Sequence, residues 1–425
     1  MNQSSNRVLV YADSAGVPVL VGTLIVDAAS RRRAGISSTF TYDASWLARP
    51  DAYAIDPRLS LFGRSSSVPG LPGCFQDCSP DRWGRNLVEK RLRALALREG
   101  KGQRTLTDVD FLLGVADLTR QGALRLRLAS TADPTTPDGP FIDPDTAVPK
   151  LLELPRLLAA ADALERDPDD QTAVKELLDA GSGSLGGARP KASVRDGDRL
   201  MIAKFPHRDD TWDVMAWEAT ALDLAQQAGI SVPGRRMTRI NGRAVLLLDR
   251  FDRTPEGHRL PFISAMTLLG RSDGDVADYT EICDAISDQG AAPALDLEAL
   301  WRRVAFSVAI HNTDDHLRNH GFSRAPGGWM LAPAFDVNPN PDLAVNRVTG
   351  IDGARAVDDE ALGLESLAAE CRLNATRCAR IVDEITDAIT GWEQVARDHG
   401  VHQSEITRFE AMFTLGARTL RGFVS

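Results

Sequence analysis

The chain has 425 residues, of which 43% are hydrophobic and 25% charged, a composition typical of a globular protein with two or three domains. No apolar run approaches a membrane span, and MNQSSNRVLVYAD lacks the charged-then-apolar layout of a secretory signal, so we expect a cytoplasmic protein without membrane contact. The net charge of −10 argues against a large nucleic-acid-binding face, because phosphate contacts need clustered Lys and Arg. Five cysteines indicate reduced thiols rather than a disulfide framework.

Short strands dominate the first part of the chain. Residues 7–27 alternate in strand fashion, with a turn at Asp13–Gly16, and more strands follow to about Phe62. A loop rich in Gly and Pro then leads to a helix that Asp81 caps. LTDVDFLLGVADL predicts another helix and ALRLRL another strand, so we predict an α+β domain over residues 1–130.

The pattern changes twice in the rest of the chain. STADPTTPDGPFIDPDTAVPK is rich in Pro, Asp and Thr and predicts a linker over residues 131–150. A helical segment, a glycine-rich loop, strands, a helix and two more strands predict a lobe over residues 151–256. The remainder, residues 257–425, is mostly helical, with one short strand pair between Gly321 and Asp336.

The glycine-rich loop lies in DAGSGSLGGARPKASV, where Gly181, Gly183 and Gly186 match G-x-G-x-x-G. Alone this pattern is weak, because a flexible linker has it too, although glycine allows the close backbone approach that phosphates need. Strands follow the loop here, whereas a dinucleotide-binding fold needs an immediate helix, and no Walker-type Gly-Lys-Ser/Thr occurs. A glycine loop between strands is the arrangement of protein kinases.

Lys204 ends the apolar stretch LMIAKFP, which is close to the V-A-I-K strand of kinases. A charge in a buried strand is costly unless it is paired, and ATP phosphates would offset that cost. An edge-strand lysine that reaches water is an equally good interpretation before context. Glu218, in the following helix, is a candidate ion-pair partner for Lys204, and Lys191 is a second candidate phosphate contact.

The segment HNTDDHLRNHGF spans residues 311–322 and holds Asp314 and Asn319 in the spacing D-x-x-x-x-N. In phosphoryl transfer such an aspartate accepts the hydroxyl proton, and the asparagine holds Mg²⁺. Asp336 follows seventeen residues later in LAPAFDVNPNP, at the predicted end of a short strand, and would be a second hard oxygen ligand.

A zinc site is the alternative use of this segment. His316 and His320 are four residues apart and would share a helix face, with His311 as a third ligand. However, H-E-x-x-H is absent, and a histidine–asparagine nuclease would want a basic surround that is missing. The sequence therefore favours a kinase, in which His316 braces the loop by hydrogen bonding.

SLGGARPKA, IAKFP, LLLDRFDR, TDDHLRNHGF and PAFDVNP resemble, in this order, the motifs of HipA-type Ser/Thr kinases, the toxins of bacterial HipBA toxin–antitoxin pairs. GTL, FQDCSPDRWGRNL and LLGVADLTRQGALRLR resemble the N-terminal part of that family, so the resemblance spans almost the whole chain. It implies an α+β fold, in which a strand-rich N-terminal subdomain precedes a bilobal kinase-like domain with a mainly helical C-lobe.

The resemblance also implies a set of site residues, with ATP and Mg²⁺ as cofactors. Asp314 would be the catalytic base, and Asn319 and Asp336 the metal ligands. The ATP-binding residues would be Lys204, Ser184, Gly186, Gly187, Lys191, Asp249, Arg250, Phe251, His316 and Glu218, with 249–251 forming the adenine hinge through backbone groups.

Regulation and partners follow from the same resemblance. Ser184 stands at the loop serine that some family members autophosphorylate, with Ser182 as the rival site, and a phosphate there would repel those of ATP. The implied partners are a HipB-like helix-turn-helix antitoxin, DNA mainly through that antitoxin, and a protein substrate, by default an aminoacyl-tRNA synthetase.

Two departures from the family pattern stand out. Asp315 occupies a position where Gly is common, and Arg189-Pro190 replaces a polar pair before Lys191. Neither removes a reacting group, although Pro190 stiffens the loop. Two further hypotheses stay open at this point: an inactive pseudokinase or corepressor module that binds a DNA-binding antitoxin, and a small-molecule kinase of related fold.

Overall fold

The computed structural model describes residues 7–27, 37–62, 65–102, 104–130, 133, 135, 137–142, 148–182 and 189–424. It is an α+β protein with two compact units. The first consists of Met1–Arg208 and Asp252–Ile263, and the second of Asp209–Phe251 and Ser264–Ser425. The domains that the sequence predicts at 1–130, 151–256 and 257–425 remain a prediction.

An antiparallel sheet forms much of the first unit. The strands described there are β1 Arg7–Ser14, β2 Val17–Asp27, β3 Ser37–Tyr42, β4 Ser66–Pro69, β5 Leu124–Ala129, β6 Pro137–Asp138, β7 Lys191–Asp196 and β8 Arg199–Lys204. The first six form one sheet in the order β4-β3-β2-β1-β5-β6, and β7 pairs antiparallel with β8. Residues alternate between buried and half-buried along β3, as expected when one face of a sheet covers a core.

The predicted turn between the first two strands is confirmed. Ala15 and Gly16 both have positive φ, at 51° and 85°, which suits a two-residue hairpin. The backbone N–H of Gly16 donates to Asp13 Oδ1 at 2.7 Å and closes the turn.

The first unit has helices where the sequence predicts them and two short helices where it does not. One of these, at 44–47, falls in the stretch predicted to continue as strands to about Phe62, and the other, at 73–77, falls in the predicted loop rich in Gly and Pro. The helices are α1 Ala44–Leu47, α2 Gly73–Asp77, α3 Arg82–Arg98, α4 Asp108–Leu113, α5 Leu154–Arg166 and α6 Gln171–Asp179. Asp81 caps α3 as predicted, since its carboxylate accepts from the N–H of Gly84 at 2.8 Å. LTDVDFLLGVADL predicts a helix throughout, but α4 ends at Leu113 and Gly114 is its C-cap. An added Cβ on Gly114 would lie 2.7 Å from Val88 Cγ1.

The second unit is mainly helical, and residues 264–425 within it have the mostly helical character that the sequence predicts for the end of the chain. Its strands are β9 Arg235–Ile240, β10 Arg243–Asp249, β12 Ala277–Asp278, β13 Gly321–Ala325, β14 Gly328–Leu331 and β15 Thr349–Gly350, while β11 Phe262–Ser264 lies at the boundary of the units. Its helices are α7 Val214–Gln227, α8 Ala265–Leu268, α9 Tyr279–Gln289, α10 Pro293–Ala309, α11 Glu360–Glu370, α12 Ala375–Thr390, α13 Trp392–Asp398 and α14 Gln403–Val424.

Buried α10 is central to this unit. An added Cβ on Gly416 of α14 would lie 2.0 Å from the carbonyl oxygen of Ala309, so glycine is what lets the two helices approach. Across the part of the chain that the structure describes, no helix combines the length and the apolar character needed to cross a bilayer.

Candidate active site

The end of α10 fastens the segment that carries Asp314. After the helix, His311 takes a positive φ of 48°, and its Nε2 lies 3.0 Å from the carbonyl oxygen of Asp342. The Ser307 hydroxyl donates to the carbonyl of Asn312 at 3.0 Å, and the N–H of Asn312 donates back to the carbonyl of Ser307 at 2.8 Å. The loop therefore begins from a fixed point on a buried helix.

Adjacent Asp314 and Asp315 have opposite environments. Asp314 is exposed, whereas Asp315 is buried and accepts a hydrogen bond from Tyr279 Oη at 2.6 Å, with His320 Nε2 at 3.1 Å from its other oxygen. The Thr349 hydroxyl also donates to the Asp315 carbonyl at 2.6 Å. Burial raises the pKa of Asp315, but His320 and the Tyr279 hydrogen bond outweigh it and hold that pKa below its ordinary value. Asp315, one of the two departures from the family pattern that the sequence resembles, thus anchors the loop through its buried side chain.

Asn319 turns back toward the predicted base. It ends a short 3₁₀ turn, Leu317–Asn319, and its Nδ2 donates to the carbonyl oxygen of Asp314 at 3.2 Å. Because the nitrogen is used in this way, the amide oxygen remains for a cation. His316 supports the turn through its carbonyl, which accepts from the N–H of Asn319 at 2.8 Å.

The prediction that Asp336 ends a strand was wrong. β14 ends at Leu331, and Asp336 lies five residues later with a φ of +57°, a conformation that L residues rarely adopt. Asn338 Nδ2 lies 3.5 Å from Asp336 Oδ1. A cavity of about 30 Å³ is lined by both Asn319 and Phe335, so the two segments that carry the predicted ligands meet in space.

The two aspartates that were predicted to act together influence each other electrostatically. Partial burial raises the pKa of Asp314 above its ordinary value, His316 opposes this, and the negative charges of Asp336 and Asp315 add to it. Two carboxylates close enough to repel each other are stabilised by a divalent cation, which suits the predicted role of this pair.

The donor set fits Mg²⁺ better than zinc. Among the described residues, no group of three or more His, Cys, Asp or Glu side chains could hold a metal ion, and this includes the three histidines of the zinc alternative. Oxygen donors remain: Asp336, Asn319 and Asn338, whose Oδ1 is buried and has no hydrogen-bond partner in the described structure. Sequence reasoning missed Asn338, although its position two residues after Asp336 was a usable signal.

The predicted hinge contacts residues 335–338 within the second unit. These residues carry Asp336 and are here called the Asp336 segment. The N–H of Asp249 donates to the carbonyl of Gly234 at 2.7 Å, which fixes the end of β10. The ring of Phe251 stacks on that of Phe335, the residue before Asp336, with centroids 5.2 Å apart and planes at 26°. Arg250, which lies between Asp249 and Phe251 in the sequence, is buried at 6% exposure.

The predicted lysines lie opposite each other in the first unit. Lys191 and Lys204 are direct partners in the β7–β8 register, so their side chains share one face of the pair. Lys191 is 2% exposed, and its Nζ lies 3.0 Å from Asp81 Oδ2, the carboxylate that caps α3. Like charges at opposite positions destabilise a strand pair, and Asp81 offsets the charge of Lys191.

Two further predicted residues, Glu218 and Ser182, are buried. Glu218 is buried in α7 of the second unit at 1% exposure, where a charged carboxylate is costly unless it is paired. Ser182 is fully buried, and its Oγ has no hydrogen-bond partner within the described part of the chain. Ser184, Gly186 and Gly187 lie outside the described residues.

The Tyr279 hydroxyl allows a test of the buried anchor. We expect Tyr279→Phe to lower the free energy of unfolding of the second unit by roughly 1.5–3 kcal/mol, the range for a hydrogen bond to a charged group. Thr220→Val is the matched control, because the Thr220 hydroxyl is also buried in the second unit but donates to a neutral carbonyl, that of Ala216, at 2.7 Å. It should cost roughly 0.5–1.5 kcal/mol. Urea denaturation measures both, and equal losses would contradict the anchoring role of Asp315.

Comparisons with known proteins agree with this arrangement. The model of the HipA N-terminal domain matches residues 18–105, and that of the HipA-like C-terminal domain matches residues 183–392. A protein of Sinorhizobium fredii named "Putative kinase Y4mE" is 25% identical over 212 residues, 46% of this chain and 48% of that protein. The chain thus spans about half the length of this curated relative.

A solved structure of the Shewanella oneidensis MR-1 toxin–antitoxin system, described as HipA, HipB and its operator DNA complex, contains a similar chain. It superposes with a TM-score of 0.65 at 15% identity, over 98% of both chains, a likeness that shows the fold. The predicted α+β, kinase-like fold is confirmed. With both of its domain models matched along the sequence, the chain belongs to the HipA family.

Proposed function

We propose that this chain is an ATP- and Mg²⁺-dependent protein serine/threonine kinase that acts as the growth-arresting toxin of a toxin–antitoxin pair. The observation that carries the proposal is the meeting, within the second unit, of exposed Asp314 with Asn319 and the Asp336 segment. A carboxylate on a rigid loop beside oxygen donors for a hard cation is what phosphoryl transfer requires.

In the proposed reaction the acceptor hydroxyl oxygen bonds to the γ-phosphorus of ATP, and the bond from that phosphorus to the leaving ADP oxygen breaks. Asp314 orients the hydroxyl and accepts its proton. Asn319 and Asp336, with Asn338 beside them, would hold Mg²⁺, which supplies positive charge to the phosphate oxygens. Asp315 contributes by holding the loop, so that Asp314 stays in one position.

The nucleotide-binding roles rest on the motifs. Lys204 is proposed to contact the ATP phosphates, oriented by Glu218, and backbone groups of 249–251 to receive the adenine. Lys191 is already paired with Asp81, and the proposal gives it a phosphate contact only if that pair opens. For autophosphorylation we propose Ser184, because Ser182 is fully buried and its phosphorylation would require its segment to leave its site.

The proposed partners follow the solved relative, which was determined with HipB and operator DNA. We propose that a HipB-like helix-turn-helix antitoxin binds this chain in the cytoplasm, and that DNA contact runs mainly through it, in keeping with a net charge of −10. The proposed substrate is a component of translation, such as an aminoacyl-tRNA synthetase.

The test is phosphate transfer itself. Purified protein is incubated with a cell lysate and ATP labelled in its γ-phosphate, with and without a chelator of divalent cations. We expect label in at least one lysate protein and in the chain itself, and none when the chelator is present. ATP binding without any transfer would favour the pseudokinase or corepressor hypothesis, and label confined to a small molecule would favour a small-molecule kinase.

A further inference from the structure

A buried loop joins α4 to β5 in the first unit. Residues 117–122 lie within this connection and are here called the 117–122 loop. Thr119 and Arg120 are both 0% exposed, and Asp117 is 5% exposed, although connecting loops usually run over the surface. The guanidinium of Arg120 donates to three main-chain carbonyls of the N-terminal region at 2.8–3.1 Å. The loop is therefore a rigid part of the N-terminal core.

One side of the loop holds the chain that leaves the predicted adenine hinge. Asp252 is the first residue after that hinge and is 2% exposed. Its Oδ2 accepts from the N–H of Gly122 at 2.7 Å and from Arg253 Nη1 at 2.8 Å. Arg253 Nη2 donates in turn to the carbonyl of Arg120 at 2.8 Å.

A second ion pair, seven residues after Asp252, also attaches this stretch of chain to the 117–122 loop. Arg259, 8% exposed, donates to the carbonyl of Asp117 and lies 3.3 Å from its Oδ2. Arg125 binds the same carboxylate, with Nη2 at 2.6 Å. Breaking a buried pair leaves an uncompensated charge, so this stretch of chain is held strongly.

The other side of the loop contacts the entrance to the glycine-rich loop. Gly181 has a φ of +70°, and a Cβ there would lie 2.7 Å from Thr119 Cγ2, so the two residues are in tight contact. Gly181 comes two residues before Gly183, the second glycine of the G-x-G-x-x-G pattern. The 117–122 loop thus contacts Gly181, next to the glycine-rich loop, and Asp252, next to the predicted hinge. The proposed function assigns both of these neighbouring segments to ATP binding.

We propose that the 117–122 loop is a positioning element for nucleotide binding, through which the N-terminal domain sets the affinity for ATP. The inference rests on the proposed function. Its residues touch no reacting atom; they act by holding Gly181, just before the glycine-rich loop, and Asp252, just after the hinge. Loosening the 117–122 loop releases these two attachment points, and the apparent affinity for ATP falls with the fraction of molecules in the binding-competent state.

The decisive variant is Asp252→Ala, with Asp56→Ala as its matched control. Both remove a buried carboxylate of the first unit that accepts from the backbone: Asp252 from the N–H of Gly122, and Asp56, at 0% exposure, from the N–H groups of Arg58 and Cys74. Calorimetric titration with ATP is compared at equal folded fraction. We expect Asp252→Ala to raise the Kd for ATP about tenfold, within the range for residues that link sites, and Asp56→Ala to leave it unchanged. KM for ATP should rise in parallel, with kcat unchanged.

A milder variant decides the matter if Asp252→Ala does not fold. Thr119→Ser keeps the hydroxyl but removes the methyl that packs on Gly181, and it should raise the Kd for ATP by a smaller factor. Unchanged ATP affinity in the folded variants, or an equal rise in Asp56→Ala, would overturn the positioning role while leaving the kinase proposal intact. Failure of the wild-type chain to bind ATP would overturn both.

Discussion

Asp314→Asn is expected to lower the rate of phosphoryl transfer by roughly 10²–10⁴-fold, the usual contribution of a positioned general base. The amide keeps the size of the side chain but cannot accept the hydroxyl proton. Because Asp314 is exposed, its replacement should leave the thermal midpoint within the small range of surface substitutions. Transfer to the lysate substrate and to the chain itself measures the loss.

Two neighbouring carboxylates serve as controls for this variant. Asp273→Asn changes an exposed aspartate that pairs with Arg318 at 2.8 Å, and it should affect neither rate nor stability. Asp315→Asn should behave in the opposite way to Asp314→Asn, with a clear loss of stability, because the buried group anchors the loop. Undiminished autophosphorylation in Asp314→Asn would rule out Asp314 as the base.

The largest loss of stability is expected for Arg347→Met. Arg347 is 2% exposed, its Nε lies 2.8 Å from Glu360 Oε1, and its Nη1 lies 3.2 Å from the Ser307 hydroxyl below the loop. Removing one partner of a buried ion pair typically costs roughly 3–5 kcal/mol, because the other charge stays buried and unpaired. Urea denaturation of the second unit measures the change. Arg397→Met, on the exposed pair with Glu393, should cost about 0.3–0.5 kcal/mol.

The same variant has a pH dependence with a definite sign. Burial already raises the pKa of Glu360, and Arg347 is the group that lowers it. Without Arg347 the folded-state pKa rises further above the unfolded value of about 4.3, so stability is favoured at low pH and lost as pH rises through the folded pKa. We expect the deficit of Arg347→Met to shrink toward pH 5 and to be largely removed by adding Glu360→Gln. A deficit that is the same at every pH would contradict this account.

Local features of the fold were predictable from neighbouring residues. The Asp13–Gly16 turn and the Asp81 cap depend on hydrogen bonds that span three residues, so a short stretch of sequence suffices to determine them. The five-residue spacing of Asp314 and Asn319 is equally local, since their contact closes within one short turn. Motif order along the chain also indicated the family correctly.

Environments created by distant parts of the chain could not be predicted in this way. Asp314 and Asp315 are adjacent carboxylates, and only packing decided that Tyr279 and His320 would bury the second and leave the first exposed. Nothing near Lys191 in the sequence indicates Asp81, 110 residues away, as its partner.

The amino-acid sequence by itself determined the hairpin, the caps, the helical or strand character of most segments and the spacing of the reactive groups, because each depends on interactions between near neighbours. Only the tertiary structure decided which groups are buried and which charges meet. Burial and long-range electrostatics are properties of segments that come together on folding, as the Phe251–Phe335 stack and the attachment of Asp252 to the 117–122 loop illustrate.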